Sequence, residues 1–147
     1  MSNAPTPAAP PPPAYGAPIS LPQAAIVMAA AEAEAARNGW AMTFAIVDSG
    51  ANLVMLHRMD GCQIGSVEVA IGKATTSAKF RRPTRTFQEG LAAGGVALRM
   101  LNMPGLLPLE GAIPILSGGK LIGAIGASGM SSAQDHQAAE AGIKALG

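Results

Sequence analysis

The sequence contains few charged residues, few aromatic residues and a single cysteine. Charged residues make up 13% of the 147 residues and aromatic residues 3%, and the formal net charge is +1. One cysteine, Cys62, excludes both an internal disulfide and a zinc site built from cysteines. A net charge so close to zero creates no field that would attract nucleic acid or an anionic membrane. We therefore expect neither of these partners.

Long apolar runs are also lacking, and none approaches the roughly 20 residues that a membrane-spanning helix requires. The N-terminal segment MSNAPTPAAPPPPAYGAP has neither the basic region nor the apolar region of a secretory signal. A cytoplasmic location is therefore expected. Residues 1–18 are predicted to form a proline-rich flexible arm, and residues 19–147 a single domain.

Small and flexible side chains supply much of the apolar content. Alanine is frequent, and the chain has 18 glycines and eight methionines. The core must therefore pack small side chains closely, with methionine filling irregular gaps. Because so few charges are available to solvate the surface, some apolar surface is expected to contact other subunits. This composition predicts a homo-oligomer.

Capping and turn motifs divide the chain into helices and hairpins. Ser20-Leu-Pro-Gln23 and Ser131-Ser-Ala-Gln134 are capping boxes, and each opens an alanine-rich helix. Two hairpins are predicted, with turns at Asp48-Ser-Gly50 and at Gly118-Gly119. In the first turn, the aspartate is expected to bond to backbone amides and Gly50 to supply a positive φ.

Two helices are predicted between these hairpins. The first runs from about Ser66 to Phe80, and the second opens with a capping box at Thr86-Phe-Gln-Glu89 and continues to about Leu101. Residues 102–110 contain two prolines and a glycine, so they form a loop that would serve as a lid over a pocket. The resulting order, α-β-β-α-α-β-β-α, predicts an α+β fold with one antiparallel sheet covered by helices.

Five segments in succession resemble the GlcG/HbpS-like family, also called DUF336. They are VDSGANLVMLHRMDG, SVEVAIGKATTSA, EGAIPI, GGKLIGAIGASG and QDHQAAEAG. The family includes glycolate-operon GlcG proteins, haem-binding HbpS proteins and the C-terminal domain of PduO proteins. The resemblance covers about residues 19–147 and implies a profilin-like α+β sandwich that forms homo-oligomers. It also implies haem or a corrinoid as a possible ligand.

One position departs from the family pattern. Gly111-Ala112 stands where the family often has Gly-Gly, and the extra methyl group would narrow a pocket or exclude a planar ligand. Gly111 itself is a candidate ligand-binding residue.

The strand exit HRMDG supplies two further candidates, Arg58 and Asp60. A guanidinium is suited to a carboxylate or phosphate, and Asp60 would orient it or transfer a proton. The alternative is an ion pair that fixes the strand to the next helix. Lys73 lies on a largely apolar helix face, where it would bind an anion or would extend its ammonium into water.

Candidates also lie in the second half of the chain. Glu110, between Leu109 and a glycine, is a candidate general acid or base, or an exposed loop residue. Ser128 would donate a hydrogen bond to a ligand or to a turn. Basic residues crowd one helix end, where they would be solvated and complement the helix dipole, or would pair with haem propionates or with acidic groups of another subunit: Lys79, Arg81, Arg82 and Arg85.

Two histidines complete the set of candidates. His57 shares a strand face with Leu53 and Met55, so it would be an axial haem-iron ligand or a proton carrier if that face lines a pocket. The alternative is a histidine that is simply hydrogen-bonded at the strand edge. His136 lies in the first turn of the last helix, next to Asp135, whose charge suits the helix dipole. No spacing of histidine, cysteine or carboxylate residues predicts a metal site built by the protein alone.

Together these residues predict an oligomeric protein that binds a small ligand. The ligand would be a tetrapyrrole, as the family resemblance implies, or a small carboxylate metabolite, in a pocket bounded by Arg58, Asp60, Lys73 and the 102–111 loop with Glu110. One alternative is a cofactor-free acid–base enzyme that acts on a small oxo- or hydroxy-acid, with Glu110 or Asp60 moving the proton. Another is a structural partner in a catabolic complex.

Overall fold

A computed structural model describes residues 10–147 of the chain. Four α-helices, four strands and one 3₁₀ helix occur in this part of the chain. Their order confirms the predicted order of helices and strands, with the 3₁₀ helix as an addition. The elements are α1 (Leu21–Arg37), β1 (Thr43–Asp48), β2 (Leu53–Arg58), α2 (Ser66–Phe80), α3 (Thr84–Ala92), the 3₁₀ helix (Gly95–Asn102), β3 (Ala112–Ser117), β4 (Lys120–Ser128) and α4 (Ser132–Leu146).

The strands form one antiparallel sheet in the order β2-β1-β4-β3. The second half of the chain therefore pairs with the first through the two central strands, β1 and β4. In their register, Thr43 lies beside Arg58 on one side and beside Ser128 on the other. The strands β2 and β3 form the two edges, about 14 Å apart at the usual strand spacing.

Helices cover both faces of the sheet. Helices α1 and α4 pack on the face that carries Phe44, Ile46 and Ile125. Helix α2 packs its alanines on the opposite face. A Cβ atom on Gly126 would lie 2.3 Å from the carbonyl oxygen of Ala70, so a glycine here allows α2 to rest directly on β4.

Several predicted caps and turns are confirmed. Ser20 and Ser131 form the capping boxes of α1 and α4. Gly118 and Gly119 both have positive φ, as a two-residue hairpin turn requires. In the first hairpin, Asp48 accepts hydrogen bonds from two backbone amides, as predicted. The prediction for Gly50 is wrong, because Ala51 takes the positive φ of 63°.

The helix predicted from Thr86 to Leu101 is interrupted. It begins at Thr84, after Pro83, and no side chain caps its first turn, so the predicted capping box at Thr86 is wrong. It ends at Ala92, because Gly94 and Gly95 have φ of 72° and 63°, which an α-helix cannot contain. The chain continues as the 3₁₀ helix Gly95–Asn102, which has no buried residue.

The last part of the proline-rich segment contacts the folded domain. The amide of Leu121 donates to the carbonyl of Ala14, and the amide of Gly16 donates back to the carbonyl of Leu121, both at 2.8 Å. The hydroxyl of Tyr15 lies 2.9 Å from the carbonyl oxygens of Ala78 and Lys79 at the end of α2. Residues 1–9 of the predicted arm lie outside the described residues. Within residues 10–147, the helices are too short or too polar to cross a membrane.

Candidate ligand groove and buried polar cluster

A groove of about 870 Å³ lies between α1 and the end of β2. One wall is formed by Ala29, Ala33 and Ala36, which follow one another on the exposed side of α1. Their small side chains leave open space beside the edge strand. The other wall is formed by the end of β2 and the residues that follow it: Leu56, His57, Arg58, Met59 and Asp60. Glu32 of α1 also lines the groove.

His57 is held in this groove by a carboxylate. Its Nδ1 bonds to Oε1 of Glu32, across the gap between β2 and α1. The imidazole is half exposed, so a ligand can approach it. Histidines that bind metals commonly use one ring nitrogen for a carboxylate or carbonyl and the other for the metal. This pairing leaves Nε2 of His57 as the nitrogen for a ligand.

Lys73 lies away from this groove, in the interior. Its side chain is only 3% exposed, and Nζ donates to Oδ2 of Asp135 at 2.8 Å and to the carbonyl of Ala127 at 3.0 Å. The alternative in which the ammonium of Lys73 extends into water is therefore wrong. Because α2 and α4 cover opposite faces of the sheet, this ion pair joins the two helical layers.

The backbone of Gly111 packs closely against this ion pair. It has φ of 137°, and a Cβ atom here would lie 2.8 Å from Nζ of Lys73 and 2.9 Å from Cβ of Asp135. Asp135 also accepts a hydrogen bond from the amide of Met130. Burial raises the pKa of Asp135, although Lys73 and this amide act in the opposite direction. Gly111 thus packs on the ion pair, a structural role that its sequence does not reveal.

Glu110 is buried and is bound by two side chains of α3. Its Oε1 accepts from Nε of Arg85 at 2.6 Å, and its backbone amide donates to Oε1 of Gln88 at 2.9 Å. Glu110 is thus not an exposed loop residue, because α3 packs against the entry to β3. The nearby loop is held in place too, since the amide of Leu107 donates to Oγ1 of Thr76 on α2 at 2.9 Å.

His136 lies behind Glu110 on α4. Its Nδ1 is 3.9 Å from Oε1 of Glu110, too far for a hydrogen bond, and it is buried without a partner among the described residues. Burial lowers the pKa of His136, and the charge of Arg85 lowers it further. Nε2 lies 4.0 Å from Oε2 of Glu140.

The predicted site residues therefore fall into separate places. His57, Arg58 and Asp60 share the groove at the β2 edge, whereas Glu110 lies at the β3 edge. Ser128 donates to Oγ of Ser66 on α2 at 3.2 Å, inside the structure. The structure does not bring Arg58 together with Lys73 and Glu110, because the sheet lies between the two edges.

Sequence reasoning missed the partners of these residues. Glu32 is 25 positions from His57, and Asp135 is 62 positions from Lys73. Contacts at such separations depend on sheet register and helix placement. The one available signal was the presence of two acidic residues, Glu32 and Glu34, in the alanine-rich first helix. Carboxylates are common on exposed helix faces, so this signal did not indicate a partner for His57.

Comparisons with known proteins agree on one family. A family model described as "Haem degrading protein HbpS-like" matches residues 19–144. Protein GlcG of Escherichia coli strain K12 is 37% identical over 110 residues, which is 75% of this chain and 81% of GlcG.

Solved structures share the fold. The crystal structure of HbpS has a TM-score of 0.83 and 32% identity, and the match covers 90% of this chain and 92% of HbpS. The crystal structure of a PduOC:heme complex has a TM-score of 0.79 and 25% identity, with 87% of this chain and 94% of that chain covered.

Proposed function

The chain belongs to the HbpS-like family, and on this basis we propose that it is a homo-oligomeric protein that binds a tetrapyrrole, haem before a corrinoid, in the groove between α1 and β2. The observation that carries the proposal is the His57–Glu32 pair, which orients an accessible imidazole inside that groove. The haem complex of a relative with the same fold supports the choice of ligand. A cytoplasmic location remains a prediction from the sequence.

The residues of the groove fit a haem group. The alanine wall of α1 offers a flat apolar surface for a planar ring, and His57 offers a ligand for its iron. Arg58 at the strand exit offers a planar guanidinium for a propionate. When bound, haem would supply a redox-active iron, while His57 and Arg58 would position it in the groove.

A titration of the purified protein with hemin tests this proposal. We expect the wild-type protein to develop a sharp Soret band and His57→Ala to lose it, because the axial nitrogen is gone. Glu32→Gln should weaken hemin binding by less, since it only loosens the orientation of the imidazole. Arg58→Ala should weaken it about tenfold, the usual effect of losing one charge-assisted hydrogen bond.

Arg99→Ala is the matched control for Arg58, because Arg99 is exposed on the 3₁₀ helix and does not line the groove. It should bind hemin as the wild-type protein does. A broad spectrum of free hemin with the wild-type protein would contradict the proposal, as would an unchanged Soret band in His57→Ala. The same titration with hydroxocobalamin distinguishes a corrinoid from haem.

The proposed oligomer uses the apolar surface of the 3₁₀ helix. Val96 is 78% exposed, Leu101 is 67% exposed, and Leu98 between them is also exposed. Runs of 3₁₀ helix longer than three or four residues are uncommon, and this one has eight residues and no buried side chain. Packing against a second copy of the chain would supply the burial that one copy does not provide.

A further inference from the structure

The buried histidine of α4 is not explained by the groove. Buried polar atoms nearly always have a hydrogen-bond partner, so Nδ1 of His136 is an exception among the described residues. The charged groups near it come from every element around it. They are Arg85 on α3, Glu110 at the entry to β3 and Glu140 on α4; the residue before His136 in α4 is Asp135, which pairs with Lys73.

The carboxylate that His136 faces is bound elsewhere. Oε1 of Glu110 accepts a hydrogen bond from Nε of Arg85 at 2.6 Å, and the same oxygen lies 3.9 Å from Nδ1 of His136. The side chain of Arg85 is 45% exposed and uses Nε for this contact. Its outer nitrogens can therefore be reached from solution, where a guanidinium binds carboxylates through two parallel hydrogen bonds.

We propose that Arg85, Glu110 and His136 form a second binding site, for a small carboxylate, and that Glu110 moves from Arg85 to His136 when the ligand binds Arg85. The ligand carboxylate replaces Glu110 as the partner of the guanidinium. Glu110 then accepts a hydrogen bond from Nδ1 of the imidazole, so this nitrogen gains the hydrogen-bond partner that it lacks in the free protein. This site lies at the β3 edge of the sheet and is separate from the groove at the β2 edge.

Ligand binding in this arrangement is coupled to proton uptake. In the free protein, burial and the charge of Arg85 keep the pKa of His136 below its usual value, which favours the neutral ring. The ligand neutralises Arg85, and Glu110 moves closer, so both changes favour the protonated ring. One N–H bond forms on the imidazole, and its proton comes from water or buffer.

Histidine NMR tests this proposal, because the chain contains two histidines, His57 and His136. Assignment follows from His57→Ala, which removes one of the two Cε1–H signals. The probes are acetate, glycolate and oxalate, with chloride at matched ionic strength as the salt control. We expect a saturable rise in the pKa of His136 with at least one carboxylate, and no such rise with chloride.

Variants separate the steps of the proposal. Arg85→Gln should abolish the response to carboxylate, while Arg82→Gln, which changes another exposed arginine of the same basic segment, should retain it. Glu110→Gln should bind the carboxylate without raising the pKa of His136. If Arg85→Gln unfolds, Arg85→Lys serves instead, because it keeps the charge and loses the planar fork.

Three outcomes would overturn the proposal. The first is a pKa of His136 that no carboxylate changes, and the second is an equal response in the wild-type protein and in Arg85→Gln. The third is a full rise of the pKa in Glu110→Gln, which would exclude the movement of Glu110. Hemin is absent from all of these experiments, so their failure does not depend on the groove at the β2 edge.

Discussion

At the scale of single residues, the largest departure from sequence reasoning is Lys73. Its helical position and apolar neighbours were identified correctly, and its charge indicated a ligand-binding residue. What the sequence does not contain is the position of Asp135, which follows from the packing of α2 and α4 on opposite faces of β4. Both side chains are 3% exposed, so this ion pair is fully removed from water.

Removing one partner of this pair should destabilise the protein strongly. Lys73→Met keeps the length of the side chain but leaves the buried carboxyl of Asp135 without its cation, which should cost about 3–5 kcal/mol of unfolding free energy. In the double variant Lys73→Met/Asp135→Asn, the buried charge is gone and the amide oxygen can still accept from Met130. Most of the lost stability should return, as measured by urea denaturation.

Asp135→Asn alone is the control that completes the cycle, because it leaves the ammonium of Lys73 without its carboxylate. A simple sum of the two single effects in the double variant would contradict the account, since independent residues add. So would a loss below 1 kcal/mol for Lys73→Met, because a buried unpaired carboxylate cannot be so well tolerated.

At the scale of secondary-structure elements, local chemistry predicted most of the fold. Serine caps and a glycine pair specify both capping boxes and the second hairpin without any tertiary contact. The exception is the segment after Pro83. The capping-box pattern at Thr86 suggested one helix to about Leu101, but Gly94 and Gly95 have positive φ and the α-helix ends before them. The apolar residues beyond them are then displayed on a 3₁₀ helix rather than buried.

The 3₁₀ helix should be the element through which copies of the chain associate. Val96→Ser/Leu101→Ser removes two of its exposed apolar side chains, so the molar mass in light scattering should shift toward the monomer. Ile64→Ser is the matched control, because Ile64 is 79% exposed but lies before α2. A monomeric wild-type protein, or an oligomer that both variants leave intact, would contradict the proposed interface.

At the scale of the whole molecule, the sequence predicted one pocket, and the structure has two separate polar regions. The register explains why. Arg58 and Ser128 lie in the same row of the sheet, and Glu110 lies at the opposite edge. Arg58 and Glu110, which the sequence analysis assigned to one pocket, are therefore at opposite edges of a four-stranded sheet. The family resemblance predicted the fold because it depends on the order of motifs. It could not predict which edge holds the ligand, because that depends on the alanine face of α1 and on Glu32.

The central claim is that haem binds in the groove at the β2 edge, with His57 as its ligand. Crystals of the protein grown with hemin test this directly, because iron gives an anomalous-difference peak that requires no prior model of the ligand. The account predicts one peak per chain, bonded to Nε2 of His57, beside the alanine wall of α1. An ordered iron peak at any other place, such as the cluster around Glu110 and His136, would contradict it.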